Sequence, residues 1–259
     1  MMPDSYPPAL PDWRLPPGVN RALWDYVHNE TLAQQYDDSL AGSSLFRLDV
    51  AFVREWLPQP REAPARLLDL GCGTGRLLAQ LPEGWHGTGV DLSLPMLRRA
   101  RRQAPQADLV QANLTQLDCF APESFHVAAC LFSTLGMIAP AALRLRVLRC
   151  THRLLKPQGR LLLHVHNRWF HLWSPAGRSW LLSGQREWVM PAHQGVVGLS
   201  LHQFTRAEVL ALLAEAGFVP LEVRPLSLRS DGRLPLAWLV PPLRAYGYLI
   251  AASKKGCGV

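Results

Sequence analysis

The sequence predicts an α/β fold in which a mostly parallel sheet carries helices on both faces. Three observations lead to this prediction. Short apolar runs alternate with amphipathic stretches over about residues 60–253, the segment LLDLGCGTG joins a strand to a glycine loop, and 259 residues suffice for one such domain with additions. No apolar run has the length of a membrane-spanning helix, so we expect no membrane partner.

The first predicted strand and the loop after it form the most informative segment. Residues 66–70 are an apolar run that contains Asp69, as in a parallel strand covered on both faces. Three glycines follow at alternate positions: Gly71, Gly73 and Gly75. Because glycine adopts positive φ at little cost and lets a ligand approach the backbone, this loop predicts a tight turn against a bound molecule. Residues 76–80 are predicted to begin a helix whose free N–H groups face that ligand.

The spacing of the loop distinguishes two classes of cofactor. A dinucleotide fingerprint needs a small residue where this chain has Arg76, which disfavours a nicotinamide cofactor. The pattern D-x-G-x-G-x-G instead resembles motif I of the class I S-adenosylmethionine-dependent methyltransferases. Residues 85–90 predict a second strand that ends at Asp91, whose carboxylate can accept both ribose hydroxyls of an adenosine. The alternative for Asp91 is an N-cap of helix 94–102, for which Ser93 is better placed.

The resemblance implies a cofactor site for S-adenosyl-L-methionine at the ends of several strands. A third strand at 107–111 leads to Asn113, whose amide would contact the adenine, and to Leu114, whose backbone N–H would do the same. An apolar strand at 125–132 follows, with His126 where the family often has an aspartate. The implied cofactor residues are Tyr36, Asp69, Gly71, Cys72, Gly73, Gly75, Asp91, Leu92, Asn113, Leu114 and Phe132.

The remaining elements continue in the order of that family. A helix at 143–155 leads through a Pro/Gly turn into a fifth strand ending in LLLHVHN. Thr205 and Glu208 form the capping box of a helix that stops at Gly217, and strands at 221–224 and 245–253 complete the sheet. The resemblance therefore implies a Rossmann-like, seven-stranded sheet with an N-terminal helical cap and a Trp-rich insertion.

The chain is predicted to consist of three segments, the last of which is this core. Residues 1–19 would be a flexible arm and residues 20–58 a helical cap, and residues 59–259 would form the core with its insertion at 168–201. The pair Tyr36 and Asp37 resembles a family element that folds over the cofactor, although Tyr36 could equally pack the cap on the core. The insertion holds four tryptophans among Gly, Pro and Ser, which predicts a lid or a wall of the substrate pocket.

Histidines near the fifth strand are the candidate catalytic residues. His164 and His166 lie two apart and so face the same side of the strand. His166 and Asn167 stand at its carboxyl end, which borders the ligand crevice in open α/β sheets. His166 is the first candidate for a general base, followed by His28 and His202 on segments expected to close the pocket. Histidines that only pack are the alternative, and no metal is predicted because no third ligand stands at a suitable spacing.

Charge and cysteine content limit the partners. The net charge of +7 comes almost entirely from scattered arginines, without the motifs of nucleic-acid readers, so a nucleic-acid partner is disfavoured. The five cysteines are odd in number and show no C-x-x-C spacing, which indicates a reduced, cytoplasmic environment: Cys72, Cys119, Cys130, Cys150 and Cys257.

The sequence therefore predicts an S-adenosylmethionine-dependent methyltransferase acting on a small-molecule acceptor. The cap, FSTLGMI and LHVHNRWF are also similar to segments of bacterial methyltransferase-like proteins. Three alternatives remain: an enzyme that uses the sulfonium charge for an elimination, cyclisation or pericyclic step, a nucleic-acid methyltransferase, and a nicotinamide oxidoreductase. The sequence names neither the acceptor nor the oligomeric state.

Overall fold

A computed structural model describes residues 11–40, 43–60, 64–191, 196–236 and 238–255. The strands are β1 (Ala65–Leu70), β2 (Trp85–Asp91), β3 (Asp108–Gln111), β4 (Phe125–Cys130), β5 (Leu155–His166), β6 (Glu187–Val189), β7 (Ser200–His202), β8 (Phe218–Leu226) and β9 (Gly247–Lys254). The α-helices are α1 (Arg21–Val27), α2 (Glu30–Leu40), α3 (Leu45–Trp56), α4 (Leu94–Gln103), α5 (Ala141–Leu154), α6 (Pro175–Leu182), α7 (Arg206–Glu215) and α8 (Pro241–Arg244).

Seven strands form one sheet in the order β3-β2-β1-β4-β5-β9-β8. The first five are parallel, and β9 runs antiparallel to both β5 and β8. This confirms the predicted seven-stranded, mostly parallel sheet. The chain order reverses between β1 and β4, and in such sheets a crevice opens at the carboxyl ends of the strands beside that reversal.

Alternate residues of the central strands pack against helices on opposite faces. Leu68, Ala128 and Leu161 belong to the cluster that also holds α5 and α7 residues. Leu67 and Val127 belong to the cluster that includes α3 and α4 residues. Both clusters are nearly free of solvent, as the all-apolar strands predict. Helices therefore cover both faces of the sheet, as expected.

The helix predicted over residues 76–80 is wrong. The segment forms only a short 3-10 helix at Leu78–Gln80. The chain must turn at Pro82 to enter β2 at Trp85, which leaves no room for several helical turns. The cleft therefore lacks the anion-binding helix N-terminus that was expected after the glycine loop.

Other boundaries differ less. The strand predicted over 125–132 ends at Cys130, because Phe132 and Ser133 adopt positive φ values of 50° and 60°. Strand β8 is longer than the predicted 221–224, whereas β9 begins two residues later and ends one residue later than the predicted 245–253. The capping box of α7 is present in full, with Thr205 accepting from the Glu208 backbone and Glu208 reaching back to Thr205.

The Trp-rich insertion is a packed layer in the part that the structure describes. It contains a 3-10 helix at Arg168–Trp173, then α6 and the β6–β7 hairpin. The ring of the buried Trp180 lies 5.3 Å from that of Trp188. Val196 and Leu199 share a buried cluster with residues of α1 and α2. Over the described ranges, none of the helices has both the length and the apolar character needed to cross a bilayer.

Candidate functional site

A cleft lies beside the carboxyl ends of β1, β2 and β4, where the strand order reverses. Its empty volume, counted out to the solvent, is about 1200 Å³. Helices α1, α2 and α3 contribute one wall, and the loops after the three strands contribute the other. The structure brings together ten of the predicted cofactor residues along these walls: Tyr36, Asp69, Gly71, Cys72, Gly73, Asp91, Leu92, Asn113, Leu114 and Phe132.

The glycine loop explains why the eleventh predicted residue, Gly75, is not part of the lining. Gly71, Gly73 and Gly75 all have positive φ, as the sequence predicts. A Cβ on Gly75 would lie 2.9 Å from Cβ of Ala100, so this glycine allows α4 to approach. A Cβ on Gly73 would meet no described atom within 4 Å. Gly73 therefore presents bare backbone to the open cleft, as a close ligand contact requires.

Asp91 organises the loop from the end of β2. Its carboxylate accepts hydrogen bonds of 2.8 Å from the backbone N–H groups of Gly73 and Ser93. Burial raises the pKa of Asp91, while these N–H bonds act in the opposite direction. Ser93 is the N-cap of α4, which confirms the better placement expected for it. A carboxylate has about four lone-pair sites, so Asp91 keeps acceptor capacity for a ligand.

Asp69 lies beneath the loop, 3% exposed. Burial, together with the nearby charges of Asp91 and Asp49, raises the pKa of its carboxyl to about 7. This group therefore changes protonation near neutral pH.

The cap is tied to the glycine loop through Asp37. Its carboxylate accepts from the hydroxyl of Thr74 at 2.7 Å and from the amide of Gln103 at 2.6 Å, and it lies 3.3 Å from Nε of Arg76. The guanidinium of Arg76 stacks 3.1 Å from the centre of the Phe46 ring. The Tyr36–Asp37 element thus lies over the loop, and Tyr36 lines the cleft at the same time.

The opposite end of the cleft is formed by the third strand and the N-terminal arm. The amide of Asn113 donates to the carbonyl of Pro17 at 2.8 Å, and its oxygen accepts from the backbone of Thr115 at 2.9 Å. Pro17, Gly18 and Val19 line the cleft. The described part of the arm, residues 11–19, therefore contacts the core, and residues 1–10 lie outside the described ranges.

The candidate catalytic residues lie outside the lining. His166 is 7% exposed behind Phe132, with 6.0 Å between the two ring centres. Burial, with His164 and His171 nearby, lowers the pKa of His166 well below its usual value. Among the described residues its Nε2 atom has no hydrogen-bond partner. A role for His166 in chemistry stays a prediction.

Asn167 is a structural residue, which corrects its predicted place at the site. Its amide donates to the carbonyls of Pro242 and Ala245 at 2.7 Å and 2.8 Å. Its oxygen accepts from the backbone N–H of Trp169 and so caps the 3-10 helix. These bonds hold the end of β5 against α8 and the residue that follows it.

His28 and His202 also lie away from the cleft. Nδ1 of His28 contacts the carbonyl of Trp24 at 2.8 Å, at the exposed end of α1. His202 is buried between the carboxylates of Glu187 and Glu208, at 3.1 Å and 2.7 Å. No described residue of 168–201 lines the cleft, and the role of this insertion as a lid or a wall of the substrate pocket stays a prediction.

The lining also contains residues that the sequence analysis did not assign to the site, among them Phe46, Asp49 and Arg76. Phe46 and Asp49 lie three apart and so share one face of α3. Asp49 is 1% exposed and contacts Nδ1 of His164. A single carboxylate on the apolar face of a helix is the sequence signal that could have identified it.

Comparison with known proteins identifies one domain of the chain. Residues 67–159 match the family model of a methyltransferase domain. This segment is a methyltransferase domain. It is 34% identical over 144 residues to a candidate methyltransferase of Geobacillus sp. (strain WCH70), a match covering 53% of this chain and 57% of that protein. The chain therefore aligns with little more than half of this relative.

Two further similar proteins have names that state their own substrates. A trans-aconitate 2-methyltransferase of Rhodopseudomonas palustris (strain HaA2) is 45% identical over 66 residues, 24% of this chain and 26% of that protein. The crystal structure of the Burkholderia thailandensis 1,6-didemethyltoxoflavin-N1-methyltransferase, with bound 1,6-didemethyltoxoflavin and S-adenosylhomocysteine, shares the fold at a TM-score of 0.58 and 22% identity. That match covers 87% of this chain and 84% of the other.

Proposed function

We propose that this protein is an S-adenosylmethionine-dependent methyltransferase that acts on a small-molecule acceptor. The observation that carries the proposal is the bare backbone of Gly73 beside the Asp91 carboxylate in the cleft. Together they supply a surface for close ligand approach and an acceptor for hydroxyl groups, which an adenosine cofactor requires.

The remaining lining residues fit the rest of that cofactor. Leu92 and Leu114 give the far end of the cleft apolar surface, as an adenine ring requires. Asp91 would accept the ribose hydroxyls, and Gly71 and Gly73 would admit the methionine end. Tyr36, on α2, would cover the methionine end of the cofactor.

Most of the rate enhancement would come from positioning the acceptor against the methyl donor. When bound, the cofactor supplies a methyl group that is already activated by a sulfonium. The protein's part is to hold an acceptor lone pair in line with that methyl and to exclude water, which the cap over the cleft supports. The acceptor's proton would pass to solvent or to a side chain, and His166 remains the first candidate among the histidines.

A small acceptor is favoured by the form of the cleft, because α1, α2 and α3 cover it. The substrates named for the two relatives above are small molecules as well. The absence of a nucleic-acid motif and the cysteine content favour a cytoplasmic enzyme acting on metabolites. An elimination, cyclisation or pericyclic enzyme that uses the same cofactor would keep the same site.

The experiment is to incubate the protein with S-adenosylmethionine and either the low-molecular-mass fraction or the nucleic-acid fraction of a bacterial lysate, and to quantify S-adenosylhomocysteine. We expect product only with the low-mass fraction. The Gly73→Ala variant under the same conditions controls for contaminating enzymes. Product with the nucleic-acid fraction would contradict the small-molecule acceptor, and cofactor cleavage without methylated product would support the alternative chemistry.

A further inference from the structure

The Asp49 carboxylate is a buried acidic group in the wall of the cleft that the proposed function leaves unexplained. It projects from α3 and lines the cleft, although Asp49 is only 1% exposed. Its two oxygens lie 2.8 Å and 3.0 Å from Nδ1 of His164, on β5. A helix outside the sheet and a strand inside it thus meet at one charged contact.

The surroundings of His164 indicate which member of the pair carries charge. His164 is fully buried, and among the described residues its Nε2 atom has no hydrogen-bond partner. A protonated imidazole would leave a charged N–H donor unpaired there, at a high desolvation cost. A neutral imidazole that donates from Nδ1 to Asp49 leaves only an unused lone pair. The negative charge therefore stays on Asp49.

Carboxyl groups outnumber cationic groups along the described lining of the cleft. Within the described lining, the carboxylates are those of Asp49, Asp69 and Asp91, and the one guanidinium is that of Arg76. Arg76 is already paired with Asp37 of the cap at 3.3 Å. Asp49, Asp69 and Arg76 line the same cleft. The wall around Asp49 therefore favours a positively charged ligand.

Aromatic rings enclose Asp49 on its helix. The Phe46 ring, on the same face of α3, stacks on Phe132 with 4.4 Å between ring centres, and the guanidinium of Arg76 lies 3.1 Å from the centre of the Phe46 ring. These groups exclude water from the wall, and a carboxylate in low dielectric attracts a cation more strongly than one in water.

We propose that Asp49, held by His164, recognises the positive charge of the sulfonium, so that the cleft binds S-adenosylmethionine in preference to S-adenosylhomocysteine. This proposal rests on the proposed function. Methyl transfer converts the sulfonium into a neutral thioether, so the attraction to Asp49 is lost when the reaction is complete. The carboxylate thereby promotes exchange of spent product for fresh donor. The same charge disfavours an anionic acceptor.

The test is calorimetric binding of three probes to the wild-type protein and to Asp49→Asn. The probes are S-adenosylmethionine, S-adenosylhomocysteine, and sinefungin, which carries a protonated amine in place of the methylsulfonium. We expect the wild type to bind the two cationic probes roughly tenfold more tightly than the neutral one. In Asp49→Asn we expect this preference to disappear through weaker binding of the cationic probes, while the affinity for S-adenosylhomocysteine stays unchanged.

Glu55→Gln is the matched control on the same helix. Glu55 accepts from Arg224 of β8 at 2.8 Å and 2.9 Å, so the variant also weakens a tie between α3 and the sheet, but outside the cleft. It should retain the preference for cationic probes. An equal loss for all three probes in Asp49→Asn would overturn the proposal in favour of a purely structural contact.

If Asp49→Asn does not fold, the affinities of the wild-type protein for the three probes still test the charge recognition. Equal affinity of the wild type for all three probes would overturn the charge recognition and leave the proposed function standing. Failure of the wild type to bind any of them would overturn both.

Discussion

Asp91 combines two tasks in one side chain. Its carboxylate fixes the loop by accepting from Gly73 and Ser93, and it faces the cleft with its remaining lone pairs. The loop N–H groups hold the carboxylate in place before a ligand arrives. Binding therefore costs little further conformational entropy at this side chain. A substitution at Asp91 therefore affects both the shape of the loop and the ligand contacts.

We expect Asp91→Ala to weaken S-adenosylhomocysteine binding by about 1.5–3 kcal/mol, the range for hydrogen bonds to a charged group. That loss corresponds to roughly 10- to 150-fold in the dissociation constant, measured by calorimetry. Asp108→Ala is the control, since Asp108 is an exposed carboxylate on the neighbouring β3 that pairs with His86. Unchanged affinity in a folded Asp91→Ala protein would remove Asp91 from the site.

Gly73 and Gly184 allow backbone strain to be separated from ligand contact. Both have positive φ, 53° and 74°, and in both cases a Cβ would meet nothing within 4 Å. Gly73 faces the cleft, whereas Gly184 lies in the turn after α6. We expect Gly73→Ala to weaken S-adenosylhomocysteine binding at least tenfold and Gly184→Ala to leave it unchanged, with about 1 kcal/mol of destabilisation in each. Equal binding by both variants would show that the ligand does not approach Gly73.

Some residues of the site can be identified from the sequence, and others cannot. The glycines and Asp91 are identifiable because strand, turn and carboxylate are adjacent in the chain, so local spacing determines their geometry. Asp49 was not identified because its contact with His164 joins positions far apart in sequence, and no local pattern encodes that pairing. Asn167 was misassigned because the end of a parallel strand borders both the crevice and a structural junction.

At the scale of elements, sheet strands were predicted better than the connections between them. Strands β1 and β4 follow from apolar runs, whose burial on both faces is a local property of the sequence. The helix expected after the glycine loop failed because the position of β2 limits the length of the connection. The packed form of the insertion depends on the contacts of Trp180 with Trp188, which composition does not specify.

His202 links two elements, the β6–β7 hairpin and α7, through a charge that depends on pH. Burial lowers the pKa of His202, but its hydrogen bonds to the carboxylates of Glu187 and Glu208 outweigh that effect, so the net shift of the pKa is upward from 6.5. A histidine with a raised folded-state pKa contributes stability that is fully present below its unfolded pKa and is lost as pH rises through the folded value. The hairpin should therefore be held most firmly in mildly acidic solution.

We expect the difference in melting temperature between wild type and His202→Gln to be largest below about pH 6.5 and to shrink as the pH rises through the raised folded-state pKa of His202. His152→Gln is the control. Burial lowers the pKa of His152, with Lys254 adding to the effect, so its contribution changes in the opposite direction. A difference that does not vary with pH would mean that His202 stays in one protonation state, and the predicted coupling would be wrong.

At the scale of the whole molecule, the fold was predictable because strands and helices alternate along the chain and connections between parallel strands are constrained. The enclosure of the cleft was harder to predict from the sequence. It depends on α1, α2 and α3 crossing the strand ends, with Asp37 and Asp49 as charged contacts to the core. The cleft thus joins two parts of the chain, and a ligand held between them should stabilise the protein as a unit.

We expect S-adenosylhomocysteine to raise the melting temperature and NAD to leave it unchanged, because Arg76 occupies the place where a dinucleotide fingerprint needs a small residue. At about one hundred times its dissociation constant, a ligand that binds only the folded state adds about 2.7 kcal/mol of stability. For a domain of this size that corresponds to a rise of about 5–10 °C. Asp37→Asn, which weakens the tie of α2 to the glycine loop, should reduce the rise at a fixed ligand concentration. Stabilisation by NAD and not by S-adenosylhomocysteine would reverse the cofactor assignment.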